Sequence, residues 1–204
     1  MVERVSALAA IYRSGNFGTA GPHGPGITIA ERRPLATVQV AARAEQGRAV
    51  RDALAGTLGV APAAGTNRAT SDGKTTILWI GPQRWLVVEP QQADRDLYGL
   101  LCAAFAVIPA GVTDLGNGRT TLRIAGRRSH DLLAKGSAID FHPRAFPAGA
   151  CAQGLLGHVG ALFHAIDDMP TFDLHIARSY AQTIWEWLME SAAEYGCRVE
   201  PPIV

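Results

Sequence analysis

The 204-residue sequence predicts an α+β fold in which one order of elements, β-α-β-β-α, occurs twice. Two patterns support this prediction: short apolar runs rich in β-forming residues, and longer segments with apolar residues at helical spacing. No stretch typical of a linker separates the two occurrences. We therefore expect one compact, two-layer domain over residues 27–204, built from two pseudo-repeated halves at about 27–110 and 111–204.

The first half is predicted to contain five elements. Its first helix carries apolar residues every third or fourth position, and Gly59 directly after it is suited to end it. The turn sequence Gly81-Pro82-Gln83-Arg84 lies between two β-rich runs and predicts a hairpin. In order, the elements are a strand at 35–42, the helix at 45–58, strands at 75–80 and 85–89, and a helix at 94–106.

The second half repeats this order after Pro109. In its last strand the apolar residues Phe172, Leu174 and Ile176 alternate with Asp173 and His175, which predicts one buried face and one face in water. An irregular loop is expected at 139–150. The elements are a strand at 120–124, a helix at 127–135, strand candidates at 153–166 and 172–177, and a helix at 179–195.

Residues 1–26 are predicted to form an extended N-terminal arm. The stretch 13–25 is rich in glycine and proline, which disfavour regular structure. Leu8, Ile11 and Tyr12 nevertheless provide apolar anchors that a solvated tail lacks. The arm is therefore expected to lie on a partner.

Composition and charge exclude several classes of protein. The chain is 48% hydrophobic and 18% charged, whereas ordinary soluble domains carry roughly 25% charged residues, so part of its surface is expected to face a partner. A formal net charge of +1 argues against a nucleic-acid ligand. The sequence has no long apolar run for a membrane helix and no export signal, which predicts no membrane contact and a cytoplasmic location.

Few residues occur in patterns typical of catalysis or metal binding. The three cysteines lack metal-ligand spacing, and no dinucleotide glycine motif follows a strand, so we expect this chain to bind no cofactor or metal itself. Asp173 and His175 have the spacing of a carboxylate–imidazole pair, although such strand neighbours usually both face solvent. Asp114 either lies at a strand end beside a ligand or supports an Asx turn, and the turn is the commoner outcome.

The subunit-interface candidates are His142, Arg144, Phe146, Trp185 and Trp187. The first three belong to a loop in which two prolines restrict the backbone, and arginine and aromatic residues are favoured at interface centres. For His142, bracing of the loop, a subunit contact and catalysis all stay open. The two tryptophans point to different sides of the last helix, so one is expected in the core and the other at an interface.

Four long segments together resemble the gamma subunit of heterotetrameric sarcosine oxidase. The likeness extends from about Thr28 to Gly196 and leaves the arm unmatched. The segments are WIGPQRWL at 79–86, DLGNGRTTLRIAG at 114–126, LLAKGSAIDFHPRAFPAGACAQGLLGHVG at 132–160, and FDLHIARSYAQTIWEWL at 172–188.

The resemblance implies a structural, non-catalytic gamma subunit, partnered by alpha, beta and delta subunits, in a flavoenzyme complex. Such a complex demethylates sarcosine to glycine, forms hydrogen peroxide from oxygen, and passes the one-carbon unit to tetrahydrofolate. Its FAD, FMN, NAD, zinc and tetrahydrofolate are expected on the other subunits. The implied fold is that of the folate-binding aminomethyltransferase of the glycine cleavage system. The alternative is a free-standing, folate-dependent transferase of that fold, with Asp114 at the folate amine.

Overall fold

A computed structural model describes residues 5–91 and 95–203 and divides the chain into two compact units. Unit 1 contains the chain up to Arg33 and again from Gly118, and unit 2 is Pro34–Asn117. Both units combine a β-sheet with helices, which confirms the predicted α+β class. In chain order the elements are β1 (Gly15–Phe17), β2 (Ile27–Arg32), β3 (Leu35–Ala42), α1 (Gly47–Leu58), β4 (Ala69–Ser71), β5 (Thr76–Gly81), β6 (Arg84–Pro90), α2 (Leu97–Ala104), β7 (Ala110–Asp114), β8 (Arg119–Ala125), α3 (Ser129–Ala134), β9 (Cys151–Leu156), β10 (Val159–Asp167), β11 (Thr171–Ala177), α4 (Ala181–Ala192) and β12 (Cys197–Val199).

Unit 1 contains a seven-stranded sheet in the order β1-β12-β2-β8-β11-β10-β9. Most neighbours are antiparallel, and β12 pairs in parallel with β2. Along β11 the residues Phe172, Leu174 and Ile176 alternate onto one face, where they join the apolar side chains of α3 and α4 in a single core. Helix α4 supplies an apolar stripe that includes Ile184 and Leu188.

Unit 2 contains a five-stranded antiparallel sheet in the order β4-β5-β6-β3-β7. Side chains of β3, β5 and β6 pack against α1 and α2 in a second core. Gly59 ends α1 with a φ of 73°, a left-handed conformation that glycine adopts at little cost, as its position predicts. The hairpin predicted at Gly81-Pro82-Gln83-Arg84 is confirmed as the connection between β5 and β6.

The structure adds strands that the sequence patterns do not predict, namely β1, β2, β4, β7 and β12. The single strand expected at 153–166 is wrong, because the chain turns at Gly157 with a φ of 61° and forms the β9–β10 hairpin. The second helix begins at Leu97, and its predicted start, Asp94, lies outside the described residues.

The two units have different boundaries from the predicted halves at 27–110 and 111–204. Strand β2 pairs with β8 and belongs to unit 1, whereas β7 pairs with β3 and belongs to unit 2. One compact domain over 27–204 stays a prediction.

The described part of the arm packs against the rest of unit 1, and the expectation that it lies on a partner stays a prediction. The side chain of Leu8 is 0% exposed and lies in the core of unit 1. The Tyr12 hydroxyl donates to the Glu200 carbonyl at 2.6 Å and accepts from the Glu31 amide at 3.1 Å. Strand β1 continues the sheet beside β12. Residues 1–4 of the predicted arm lie outside the described residues.

Because Leu8 anchors the arm, we expect Leu8→Ala to lower the free energy of unfolding by about 2–5 kcal/mol, the usual cost of a Leu→Ala cavity. Val5 is 59% exposed, so Val5→Ala is the matched control and should change that free energy by less than about 0.5 kcal/mol. Urea unfolding of both variants provides the measurement, and equal values for the two would contradict the anchoring role.

Candidate functional site

The loop between α3 and β9 holds His142 and Arg144 in a fixed backbone conformation. The amide of His142 donates to Asp140 Oδ1 at 2.9 Å, and the His142 carbonyl accepts from the amides of Ala145 and Phe146, both at 2.8 Å. The amide of Arg144 donates to His142 Nδ1 at 3.2 Å. Both side chains are exposed. The structure therefore places the first two interface candidates on a braced surface segment.

Phe146 is in the core, although the sequence argument places it at an interface. It is 7% exposed, and its ring contacts Phe141 edge-on with centroids 5.5 Å apart. Phe172 lies on another side of the ring at 6.3 Å. Because its surface is already covered by unit 1, Phe146 anchors the loop and is not a docking residue.

The two tryptophans of α4 occupy different environments. Trp185 is buried, and its ring lies 4.9 Å from that of Tyr12, so it holds the arm and is unsuited to a partner contact. Trp187 is half-buried and lies over Gly136, where any side chain would collide with the indole. The exposed part of Trp187 is the part of this pair that a partner can reach.

A buried carboxylate, Asp173, joins three strands of unit 1. Its side chain is 1% exposed, accepts two hydrogen bonds from Arg123 at 2.8 and 2.9 Å, and accepts a third from Arg32 at 2.6 Å. Burial alone would raise the pKa of Asp173, but the hydrogen bonds from Arg123 and the charges of both arginines together lower it. The carboxylate is therefore ionised and has no free role as a proton acceptor.

His164 and His175 are buried beside Asp173 in the sheet of unit 1. The expectation from the sequence that Asp173 and His175 face water is therefore wrong. His175 is 1% exposed, and its Nδ1 lies 2.9 Å from Thr121 Oγ1. Burial lowers the pKa of His175 to about 3 and that of His164 to about 4. Because Asp173 is bound by the arginines and His175 by Thr121, the structure does not form the carboxylate–imidazole hydrogen bond of a catalytic pair.

Asp114 forms the Asx turn that is the commoner of its two sequence interpretations. Its Oδ1 accepts a hydrogen bond from the Gly116 amide at 2.8 Å, and the side chain is exposed. The carboxylate thus has a local structural partner.

Within residues 5–91 and 95–203, no three His, Cys, Asp or Glu side chains are grouped so that they could hold a metal ion. Burial raises the pKa of Cys197 to about 11, which keeps its thiol protonated. None of the described helices is both long and apolar enough to cross a membrane.

Sequence reasoning does not single out Arg32 and Arg123, the two partners of Asp173. Arg123 alternates with apolar neighbours, which is the pattern of a solvated strand face, and Arg32 follows Glu31 and precedes Arg33 in a charged run typical of a strand end. The usable signal is strand register, since Arg123 lies directly opposite Asp173. Arg123 and Asp173 are 50 residues apart in the sequence, so neither strand by itself indicates the pairing.

Comparison with known proteins assigns the family. Residues 40–194 match the model of the sarcosine oxidase, gamma subunit family. The chain belongs to this family. A sarcosine oxidase subunit gamma from Arthrobacter sp. is 30% identical over 78% of this chain and 77% of its own length, and one from Corynebacterium sp. (strain P-1) is 28% identical over 83% and 82%.

Solved structures show the same fold for this member of the sarcosine oxidase gamma family. A chain of heterotetrameric sarcosine oxidase from Corynebacterium sp. U-96, in complex with pyrrole 2-carboxylate, aligns with a TM-score of 0.80 at 23% identity, covering 94% of this chain and 96% of that one. The glycine cleavage system aminomethyltransferase T from Bartonella henselae aligns with a TM-score of 0.62 at 10% identity, over 91% of this chain and 53% of the transferase. The predicted likeness to the aminomethyltransferase fold is confirmed.

The buried histidines make the stability of the chain depend on pH. Their pKa values are near 4 and 3 when folded and about 6.5 when unfolded, so below pH 6.5 the unfolded chain binds more protons. The histidines' contribution to the free energy of unfolding is therefore fully present above pH 6.5, and it decreases as the pH falls toward 4. Between pH 7.5 and 5 we expect a loss of about 2 kcal/mol for each of the two histidines.

Urea unfolding at several pH values measures this loss. We expect His175→Gln to remove about half of it, since glutamine does not titrate. The exposed His158 is the control, and His158→Gln should leave the pH dependence as it is in the parent chain. A pH dependence unaffected by His175→Gln would contradict the assignment to the buried imidazoles.

Proposed function

We propose that this chain is the gamma subunit of a heterotetrameric sarcosine oxidase and that it serves assembly and not catalysis. The observation that carries this proposal is the match of residues 40–194 to the gamma family, with relatives aligned over about three quarters of both chains. The complex oxidatively demethylates sarcosine to glycine and forms hydrogen peroxide and 5,10-methylenetetrahydrofolate. It is an oxidoreductase that acts on a CH–NH bond with oxygen as acceptor.

The proposed partners are the alpha, beta and delta subunits. We place FAD, FMN, NAD, zinc and tetrahydrofolate on those subunits and none on this chain. A cytoplasmic location is part of the proposal.

The non-catalytic role is supported by the burial and the hydrogen-bond partners of the side chains that could transfer a proton. The carboxylate of Asp173 is occupied by two arginines, and His175 and His164 are neutral and buried. Asp114 is committed to a turn. A general acid or base needs a reachable group with a pKa near the working pH, and these four do not provide one.

The free-standing transferase alternative has less support. The likeness to the aminomethyltransferase covers just over half of that enzyme and concerns the fold alone, and fold does not decide activity. We further infer that units 1 and 2 repeat one arrangement, since each has a largely antiparallel sheet with two helices in its core. This pseudo-repeat explains the recurring order of elements in the sequence.

Within the complex we propose that a partner subunit contacts the exposed residues His142–Ala145, called here the 142–145 surface, together with the accessible edge of Trp187. The side chains of His142 and Arg144 are exposed on a backbone held by the hydrogen bonds to Asp140 and His142. A contact of this kind loses little conformational entropy on docking. The buried ring of Phe146 anchors the end of the segment in the core of unit 1.

The assembled complex tests this surface. We expect the double variant His142→Ala/Arg144→Ala to weaken binding to the partner subunits by about tenfold, because an interface arginine commonly contributes more than 1 kcal/mol. The measurement is the yield of co-purified subunits over a dilution series. Melting of the variant chain on its own shows that folding is retained.

Arg198→Ala is the matched control, because Arg198 is also exposed in unit 1 and forms a surface ion pair with Glu200. It should leave co-purification unchanged. If the double variant co-purifies as fully as Arg198→Ala at every dilution, the 142–145 surface is not the interface.

Asp114→Asn separates the assembly role from the transferase alternative. Asparagine keeps the side-chain oxygen that accepts the Gly116 amide and removes the charge that a base needs. We expect turnover of the assembled complex to stay within about twofold of the parent, whereas loss of a general base costs roughly a hundredfold or more. A loss of that size in a fully assembled complex would favour the transferase reaction on this chain.

A further inference from the structure

Unit 2 contains a cavity of about 440 Å³ beside the first turn of α1 and the β5–β6 hairpin. Its volume is in the range that proteins use for small ligands. None of the residues that line it is acidic, whereas two of them, Arg48 and Arg51, are cationic. The cavity is therefore electrostatically suited to an anion.

The cavity lining includes several strong hydrogen-bond donors. Arg51 is held in place by its hydrogen bonds to the carbonyls of Ala63 and Pro62, at 3.0 and 3.2 Å. Trp85 is 3% exposed, and its indole N–H has no hydrogen-bond acceptor among the described residues. Burying such a donor without an acceptor is costly, so an occupant that brings an acceptor would be stabilised.

The hairpin turn at the edge of this cavity contains a residue in an unfavourable backbone conformation. Gln83 has a φ of 56°, a left-handed conformation that a turn ordinarily assigns to glycine or asparagine. Its side-chain amide lies against Gly47 in the first turn of α1, where any Cβ would collide with it. The strained residue thus places an amide group at the cavity, and strain of this kind concentrates at functional sites.

Two indole rings give the cavity its apolar walls. Trp79 and Trp85 lie directly opposite each other on β5 and β6, so both side chains are on the same face of the sheet. Both line the cavity. Indole faces are large apolar surfaces on which a flat aromatic ring can stack.

We propose that this cavity binds a small oxyanion carried on an aromatic ring. Arg48 and Arg51 hold the oxyanion, the N–H of Trp85 and the amide of Gln83 are the neutral donors, and the ring lies against the indoles. The chemistry is shared by aromatic carboxylates and aryl phosphates. This site is independent of the assembly role and of the 142–145 surface, which lies in unit 1.

Isothermal titration of the full chain with four probes tests the ligand class. The anions are 2-naphthoate and 2-naphthyl phosphate, the neutral comparison is 2-naphthamide, and inorganic phosphate is the anion without a ring. We expect at least one naphthyl anion to bind in a 1:1 ratio, at least about tenfold more tightly than either comparison probe. The tighter of the two anions identifies the acid group.

Variants test the location. We expect Arg48→Ala to weaken the preferred anion by at least about tenfold, as loss of a charge-assisted contact does. The matched control is Arg84→Ala, since Arg84 is exposed on the same hairpin but does not line the cavity, and it should change affinity by less than about twofold. Gln83→Gly should weaken binding without lowering the melting temperature, because glycine relieves the positive φ.

Three results would overturn the proposal. They are no binding of either naphthyl anion, equal binding of 2-naphthamide or inorganic phosphate, and equal affinities for the Arg48→Ala and Arg84→Ala chains. Arg48 is exposed, so its replacement leaves the core of unit 2 intact. Co-purification with the partner subunits is measured separately, so failure of this site and failure of the assembly role are distinguishable.

Discussion

The ion pairs of Asp173 are the constraint on which the arrangement of unit 1 depends. One buried carboxylate on β11 binds Arg123 on β8 and Arg32 on β2, so a single side chain joins three neighbouring strands. A slip of one residue in β11 would move this carboxylate into the phenylalanine core, and removing either partner of a buried pair typically costs about 3–5 kcal/mol. The register fixed in this way sets where Phe172 lies, and Phe172 in turn holds the rings beneath the 142–145 surface.

The parts of the fold that could be predicted from the sequence are those with a local cause. Gly59 ends α1 because glycine adopts a left-handed φ at little cost, and Gly81-Pro82 begins a hairpin because glycine tolerates a positive φ and proline fixes its own. Strand β12 is different, since it pairs in parallel with β2 from the other end of the chain. No pattern within β2 indicates that partner, and the boundaries of the units follow from such pairings. Non-local pairing is therefore what separated the observed units from the predicted halves.

The candidate residues show the same limit at the level of side chains. Alternation correctly predicts that Asp173 and His175 share a face of β11, but it does not say whether that face is in water. Phe146 lies between Pro143 and Pro147, and its immediate neighbours do not indicate that it is buried. Its ring packs on Phe141, which is close in sequence, and on Phe172, which is distant. The exposed positions of His142 and Arg144 were predictable because loop segments almost always lie on the protein surface.

The low content of charged residues has an internal cause as well as an external one. All side chains from Thr171 to Ile176 are buried, so β11 must fill two dry faces with residues that are apolar or fully paired. Exposed apolar side chains such as Val107, Leu155 and Met169 belong to different segments in different units, and single residues of this kind are ordinary on protein surfaces. Composition alone therefore does not locate the partner. A rigid exposed segment is more informative, because docking it requires little additional ordering, and the 142–145 surface has this property through the hydrogen bonds of its own backbone.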